Sequence, residues 1–175
     1  MKVRVVAHVP GWISGFDAEA NRIAAALGDT AVAIHHIGST AIPGIFAKPV
    51  VDVLLEVDSL ARLDEKGSAM TGLGYEAKGE FGIPGRRYFR KNGAPGVRTH
   101  HVHAFEAGSP AIERHLAFRD YLIAHPREAQ VYSALKRRLA SEHPDDMEAY
   151  MDGKDAFIKE HEAKAIHWRI GRLAR

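Results

Sequence analysis

The chain has 175 residues, no cysteine and a formal net charge of +2 at pH 7. A chain of this length can bury roughly 70% of its unfolded surface in one core, and the lack of cysteine excludes disulfides, thiolate metal sites and cysteine nucleophiles. The small net charge does not favour a nucleic-acid partner, and no apolar run approaches the ~20 residues of a membrane span.

The first part of the sequence predicts a helix and two strands. Asp17 is a candidate helix cap, and apolar residues at helical spacing continue to Gly28, where the helix should end. A short strand is predicted over residues 30–36. The β-branched run over residues 49–57 predicts a buried strand, which we expect at the centre of the sheet.

The middle of the sequence predicts a helix followed by a hairpin. Residues 59–72 have the pattern of one helix behind a Ser59 cap, although Gly67 weakens it. The runs RRYFRK (86–91) and RTHHVHAFE (98–106) are joined by NGAPGV, whose Asn-Gly and Pro-Gly pairs are typical of a turn. We therefore expect two antiparallel strands.

The last third of the sequence is helical in pattern, with helices predicted near residues 110–124, 127–141 and 145–170. No linker or repeat divides the chain, which favours one α+β domain over residues 1–175. The N-terminal apolar patch is shorter than a secretory signal core, and we expect a cytoplasmic protein.

A lone carboxylate follows a glycine-containing turn. Asp52 lies in an apolar strand and needs a partner, a metal ion or a cleft, because a buried unpaired charge is costly. The preceding turn contains Gly38 and Ser39, and such a turn lets backbone N–H groups and a hydroxyl approach a phosphate. A carboxylate on the next strand can then hold the metal that neutralises the phosphate. Structural turns use the same residues, so both interpretations stay open at this point.

Two histidines on the second hairpin strand are candidates to join Asp52. His101 and His103 share one face of that strand, and if it neighbours the Asp52 strand, the two imidazoles and the carboxylate can converge on one ion. A histidine acting as a base is a further possibility, and two hydrogen-bonded histidines on a sheet face are the structural alternative. Glu56 shares the face of Asp52 but lies ~13 Å away, too far to share an ion.

Basic residues near the turn are weaker candidates. Lys48 precedes the Asp52 strand and can contact an anion held by the turn, but a solvated loop lysine is an equal alternative. Strand alternation places Arg86, Tyr88 and Arg90 on one face. A guanidinium suits phosphate recognition, whereas an exposed basic hairpin also resists edge association. We interpret the helical stripe of Met147, Tyr150, Met151 and Phe157 as core packing.

The chain resembles the GrpB family, a small bacterial group assigned to the nucleotidyltransferase superfamily, in four ordered segments: HHIGSTAIPGIFAKPVVDVLLEV, RRYFRK, THHVHAFEAGSP and HLAFRDYLIAHPREAQVYSALKRRLA. It is also similar to the C-terminal extension of some bacterial dephospho-coenzyme A kinases. The resemblance implies an α+β fold with a nucleotidyltransferase-like mixed sheet, the Gly38-Ser39 turn at the nucleotide phosphates and Asp52 at the metal. One position departs from the superfamily, because Leu54 stands where functional nucleotidyltransferases generally carry a second carboxylate.

Three functions are consistent with these features. The first is a metal-dependent nucleotidyltransferase-like enzyme, in which a divalent ion (Mg, Mn or Zn) is held by Asp52, His101 and His103, and the nucleotide phosphates are held by Gly38, Ser39, Thr40, Lys48 and Arg90. The second is a non-catalytic module that senses a nucleotide or assists an enzyme of coenzyme A biosynthesis. The third is a metal-dependent hydrolase that uses the His-x-His face. We expect the partner to be a nucleotide or another phosphate-bearing small molecule, and neither a membrane nor a nucleic acid.

Overall fold

The structure is a computed structural model that describes residues 2–175. Its centre is a five-stranded mixed sheet in the order β1, β2, β5, β4, β3. β2 and β5 run parallel, and every other neighbouring pair is antiparallel. The strands are β1 Ala31–Ile37, β2 Val51–Val57, β3 Tyr75–Ala77, β4 Arg86–Asn92 and β5 Arg98–Glu106. The predicted α+β fold is confirmed.

The helices are α1 Gly11–Leu27, α2 Leu60–Glu65, α3 Gly67–Gly72, α4 Pro110–Ala124, α5 Pro126–Glu142 and α6 Met147–Leu173. Two of the predicted caps form, since the Ser59 hydroxyl accepts from the Arg62 backbone N–H and the Ser109 hydroxyl accepts from that of Ala111. Among the helices of residues 2–175, none combines the length and apolar character needed to cross a bilayer.

The two faces of the sheet are covered by different helices. On one face, Val53 and Leu55 of β2 pack with Ile23 and Leu27 of α1, together with α2 and α3. On the other face, Leu54 packs with side chains of β1, β5 and α4, namely Ile37, Phe105, Ile112 and Leu116. Strand alternation assigns these faces, so Asp52 points toward the side that carries the C-terminal helices.

Three local expectations are corrected. α1 begins at Gly11 rather than at Asp17, because buried Trp12 extends its apolar face by more than a turn. The predicted helix over residues 59–72 is two short helices that break at Lys66, next to the helix-weakening Gly67. β5, not β2, is the central strand, because β3 adds an edge strand that the sequence pattern did not indicate.

Candidate functional site

Asp52 lies where three segments meet. In the sheet register it is opposite Ile37, the last residue of β1, and opposite His101 on the parallel strand β5. The turn that follows β1 therefore starts beside the Asp52 carboxylate. The expectation that the second hairpin strand neighbours the Asp52 strand is confirmed.

Both histidines reach the same carboxylate oxygen. His101 Nδ1 is 3.2 Å from Asp52 Oδ1, and His103 Nε2 is 3.3 Å from the same atom. The potential ligand atoms of the three residues all lie within 4.8 Å of one another. Glu56 is engaged elsewhere, since its carboxylate is 2.5 Å from His35 Nε2.

The two imidazoles determine the charge state of Asp52. Burial alone raises the pKa of this carboxyl group, but the hydrogen bonds from His101 and His103 outweigh burial and hold the pKa well below its usual range. Asp52 is therefore ionised at neutral pH. An ionised carboxylate can accept hydrogen bonds or bind a cation, and a pKa this low makes it a weak base.

The turn after β1 is shaped around Asp52. Gly38 has φ +74°, a left-handed conformation, and a Cβ atom at this position would stand 2.6 Å from Asp52 Oδ2. Residues Ser39–Ala41 form one turn of 3₁₀ helix. Thr40 is buried, and its hydroxyl lies 2.9 Å from His36 Nε2. The Thr40 hydroxyl is therefore engaged in a hydrogen bond inside the protein.

A cavity of about 220 Å³ opens in front of Asp52. It lies between the sheet, the turn after β1 and the helices α4, α5 and α6. The expected site residues on its wall are Gly38, Ser39, Thr40, Lys48, Asp52, His101 and His103. The structure thus brings together all but one of the residues that the sequence singled out.

Arg90 is the exception. It lies on β4 opposite His101, on the same face of the sheet, but its guanidinium is turned to the edge strand, where its Nε donates to Glu76 Oε2 at 2.7 Å. It is absent from the cavity wall. An ion pair with the residue directly opposite it on β3 holds the side chain away from Asp52.

Two lysines that the sequence interpretation did not select line the cavity beside Lys48. Lys136 of α5 is 1% exposed, and its Nζ has no hydrogen-bond partner within residues 2–175. Lys154 of α6 is also buried and lies over the ring of Tyr150. Burial and the neighbouring lysines lower the pKa of Lys136 to about 7 and that of Lys154 to about 8, and burial lowers the pKa of Lys48.

None of these three lysines forms an ion pair with a carboxylate in the described part of the chain.

The helical pattern of the sequence could have identified Lys136 and Lys154 as unusual residues. Lys136 lies on the buried face of α5 that carries Tyr132 and Leu139, and Lys154 lies one turn after Tyr150 on the buried face of α6. A lysine inside an apolar helical stripe is unusual, and it indicates either a buried ion pair or an anion-binding cavity.

The donor set fits a divalent ion by number and spacing. One carboxylate oxygen and two imidazole nitrogens, with separations of 3.2 and 3.3 Å from the oxygen, resemble the ligand spacing around one transition-metal ion. A pair of ions bridged by carboxylates does not fit, because Leu54 is fully buried among apolar side chains and offers no oxygen.

The family model described as GrpB protein matches residues 2–164. The UPF0157 protein YqkA of Bacillus subtilis is 49% identical over 171 residues, which cover 98% of this chain and 49% of that protein. A dephospho-CoA kinase of Mycolicibacterium paratuberculosis is 30% identical over 95% of this chain and 46% of its own length. The chain therefore spans about half the length of these two relatives.

Solved structures agree with the family match. The crystal structure of the conserved protein GrpB from Enterococcus faecalis has a TM-score of 0.90 and 41% identity, and the match covers 95% of this chain and 99% of that one. The Cid1 poly(U) polymerase bound to MgGTP matches 77% of this chain and 44% of its own, with a TM-score of 0.54 at 12% identity, which shows a shared nucleotidyltransferase-like fold. The chain belongs to the GrpB protein family.

Proposed function

We propose that this protein binds a nucleotide through its phosphates in the cavity in front of Asp52 and acts as a nucleotidyltransferase-like enzyme. The observation that carries the proposal is the set of three lysines around one cavity, Lys48, Lys136 and Lys154, none of which has a carboxylate partner among residues 2–175. Burying an unpaired ammonium is costly, so such a cluster calls for an anion. The partial charges of the Gly38-Ser39 turn and the Ser39 hydroxyl add to the attraction.

The size of the cavity supports phosphates as the bound part. At about 220 Å³ it is smaller than the ~300–1,000 Å³ pockets that enclose a whole drug-sized ligand. It suits a chain of phosphates, with the nucleoside extending toward the opening. A polyphosphate also has enough negative charge to satisfy several lysines at once, which a single carboxylate ligand does not.

The lysines and Asp52 would have different roles in the reaction because their charges are opposite. In nucleotidyl transfer, an acceptor oxygen forms a bond to the α-phosphorus, the bond to the leaving pyrophosphate breaks, and the acceptor proton is released. The three lysines would stabilise the negative charge of the leaving pyrophosphate. Because the pKa of Asp52 is held so low, the acceptor proton would go to solvent, and Asp52 would be the residue that holds a divalent cation beside the phosphates. A divalent ion bound there would supply charge neutralisation and polarise the phosphorus–oxygen bonds.

The direct experiment is thermal unfolding with each of the four nucleoside triphosphates, in the presence and absence of Mg²⁺ or Mn²⁺. A ligand that binds only the native protein raises the melting temperature. We expect stabilisation by triphosphates, reduced in Lys136→Met and Lys154→Met. Pyrophosphate release in the presence of candidate acceptors then tests transfer. No stabilisation by any nucleotide under any of these conditions would remove the proposal.

A second candidate is a non-catalytic module that binds a nucleotide and assists coenzyme A biosynthesis. Two observations favour it: dephospho-CoA kinases are among the relatives, and Leu54 occupies the expected second carboxylate position. Nucleotide binding without pyrophosphate release, together with a change in the activity of an added dephospho-CoA kinase, would favour this candidate over the first.

A further inference from the structure

The outer nitrogens of the two histidines at Asp52 are each contacted by an arginine. Arg98 Nη1 is 3.4 Å from His101 Nε2, and Arg86 Nη1 is 3.3 Å from His103 Nδ1. A guanidinium only donates hydrogen bonds. Each of these ring nitrogens is therefore the acceptor, and the opposite nitrogen of each ring carries the hydrogen that points at Asp52 Oδ1.

Both arginines are held in place by other contacts. Arg86 is 7% exposed, and its Nε and Nη2 donate to the backbone oxygens of Glu80 and Phe81 at 3.2 and 2.9 Å. Arg98 Nε donates to Asn92 Oδ1 at 2.8 Å. Neither guanidinium has a carboxylate within ion-pair distance in the portion of the chain described by the structure, so salt bridges do not draw them away from the rings.

This arrangement opposes metal binding by the imidazoles. A histidine that ligates a metal through one nitrogen usually donates the N–H of its other nitrogen to a carboxylate, a carbonyl or water. Here the nitrogens nearest Asp52 carry the hydrogens, and reversing them would turn an N–H of each ring toward an arginine N–H. A metal ion can bind either ring only if the arginine contact of that ring breaks.

We propose that Arg86 and Arg98 are positioning residues that keep His103 and His101 as hydrogen-bond donors to Asp52 and so select against transition-metal ions. A divalent ion of the magnesium class remains compatible, because Mg²⁺ is commonly held by one or two carboxylates, waters and substrate phosphates. The choice of ion rests on the proposed function, since the nucleotide phosphates complete its shell. The ring arrangement does not rest on it.

Nitrogen-15 NMR of the metal-free wild-type protein directly shows which ring nitrogen of His101 and of His103 carries the hydrogen. We expect the hydrogen of His101 on Nδ1 and that of His103 on Nε2. The opposite tautomer in either ring would overturn the assignment for that ring, whether or not a nucleotide binds. This measurement needs no variant, so it does not depend on how well the arginine variants fold.

Calorimetry with Zn²⁺ tests the selection. We expect Arg86→Met/Arg98→Met to bind Zn²⁺ about tenfold or more tightly than wild type. The matched control is Arg87→Met, which removes an arginine of the other face that pairs with Asp64 and should leave Zn²⁺ affinity unchanged.

If the double variant does not fold, Arg98→Met alone should still tighten Zn²⁺ binding. Equal Zn²⁺ affinity in wild type and a folded arginine variant would contradict the proposal.

Discussion

Gly38 and Asp52 are in direct contact, and the glycine is required by that contact as well as by its backbone conformation. A Cβ atom on Gly38 would lie 2.6 Å from Asp52 Oδ2 and 3.1 Å from Asp52 Cβ. The carboxylate cannot move aside without leaving His101 and His103, which both donate to it. The turn and the carboxylate therefore form one structural unit.

Gly38→Ala should destabilise the protein more than backbone strain alone explains. The backbone of Gly38, with φ +74° and ψ −175°, is in a region that is essentially restricted to glycine, and it costs an alanine about 1–3 kcal/mol. Displacing Asp52 adds the loss of charge-assisted hydrogen bonds, about 1.5–3 kcal/mol each. The matched control is Gly108→Ala, because Gly108 has φ +90° and nothing within 4 Å of its added Cβ. Urea denaturation should show the larger loss for Gly38→Ala. Equal losses would mean that Asp52 tolerates the methyl group.

The stability of the protein should depend on pH through Lys136. Its pKa is lowered from 10.5 to about 7 in the folded protein. Between these values the unfolded chain binds more protons than the folded chain, so the free energy of unfolding rises with pH, by up to about 1.4 kcal/mol per pH unit from this group. Below pH 7 the penalty is fully present, and above pH 10.5 it is gone.

Lys136→Met isolates this effect because it removes the buried ammonium and keeps an unbranched apolar side chain. Without a ligand, the variant should be more stable than wild type at pH 7, and its advantage should shrink as the pH rises toward 10. Urea denaturation of both proteins at several pH values measures the difference. A difference that stays constant with pH would show that Lys136 titrates normally in the folded protein.

Leu54→Asp should not restore a second catalytic carboxylate. Leu54 is fully buried with Ile37, Phe105, Ile112 and Leu116, so the new charge would lose its hydration without gaining a partner, at a cost of several kcal/mol. Leu54→Asn introduces a side chain of nearly the same shape as aspartate but without the charge, so it should lower the free energy of unfolding by less than Leu54→Asp at neutral pH. A folded, unperturbed Leu54→Asp protein would show that this position is more accessible than the structure indicates.

Arg90→Gln should leave anion binding nearly unchanged, because Arg90 pairs with Glu76 at the sheet edge. Its partly exposed ion pair contributes about 0–1 kcal/mol to stability. Lys136→Gln, by contrast, should weaken binding of inorganic triphosphate about tenfold or more, since it removes a charge from the cavity wall. Comparable weakening by the two substitutions would place Arg90 in the binding site after all.

The sequence was sufficient to predict most strands and helices because their apolar periodicity is strong. Turn residues also identified the hairpin that carries His101 and His103. The short strand β3 escaped prediction, because three residues at a sheet edge carry no alternating pattern. Without β3, the position of β5 at the centre of the sheet did not follow from the sequence.

The sheet half of the site was predictable, whereas the sequence could mark Lys136 and Lys154 as unusual buried lysines but could not place them beside Asp52. His101 and His103 lie two residues apart on one face of β5, and the pairing of β5 with β2 places that face beside Asp52. Lys136 and Lys154 reach the cavity through the packing of α5 and α6, which periodicity does not specify. The direction of Arg90 depended in the same way on Glu76, a residue of the strand that was missed.

Calorimetric titration with inorganic triphosphate tests the central claim most directly, because it probes the cavity without assuming a base, an acceptor or turnover. Wild-type protein should bind triphosphate, and Lys136→Met and Lys154→Met should each weaken that binding about tenfold or more, while Arg90→Gln retains it. Absence of binding to wild type, or equal binding by wild type and both lysine variants, would contradict the assignment of this cavity as a phosphate site.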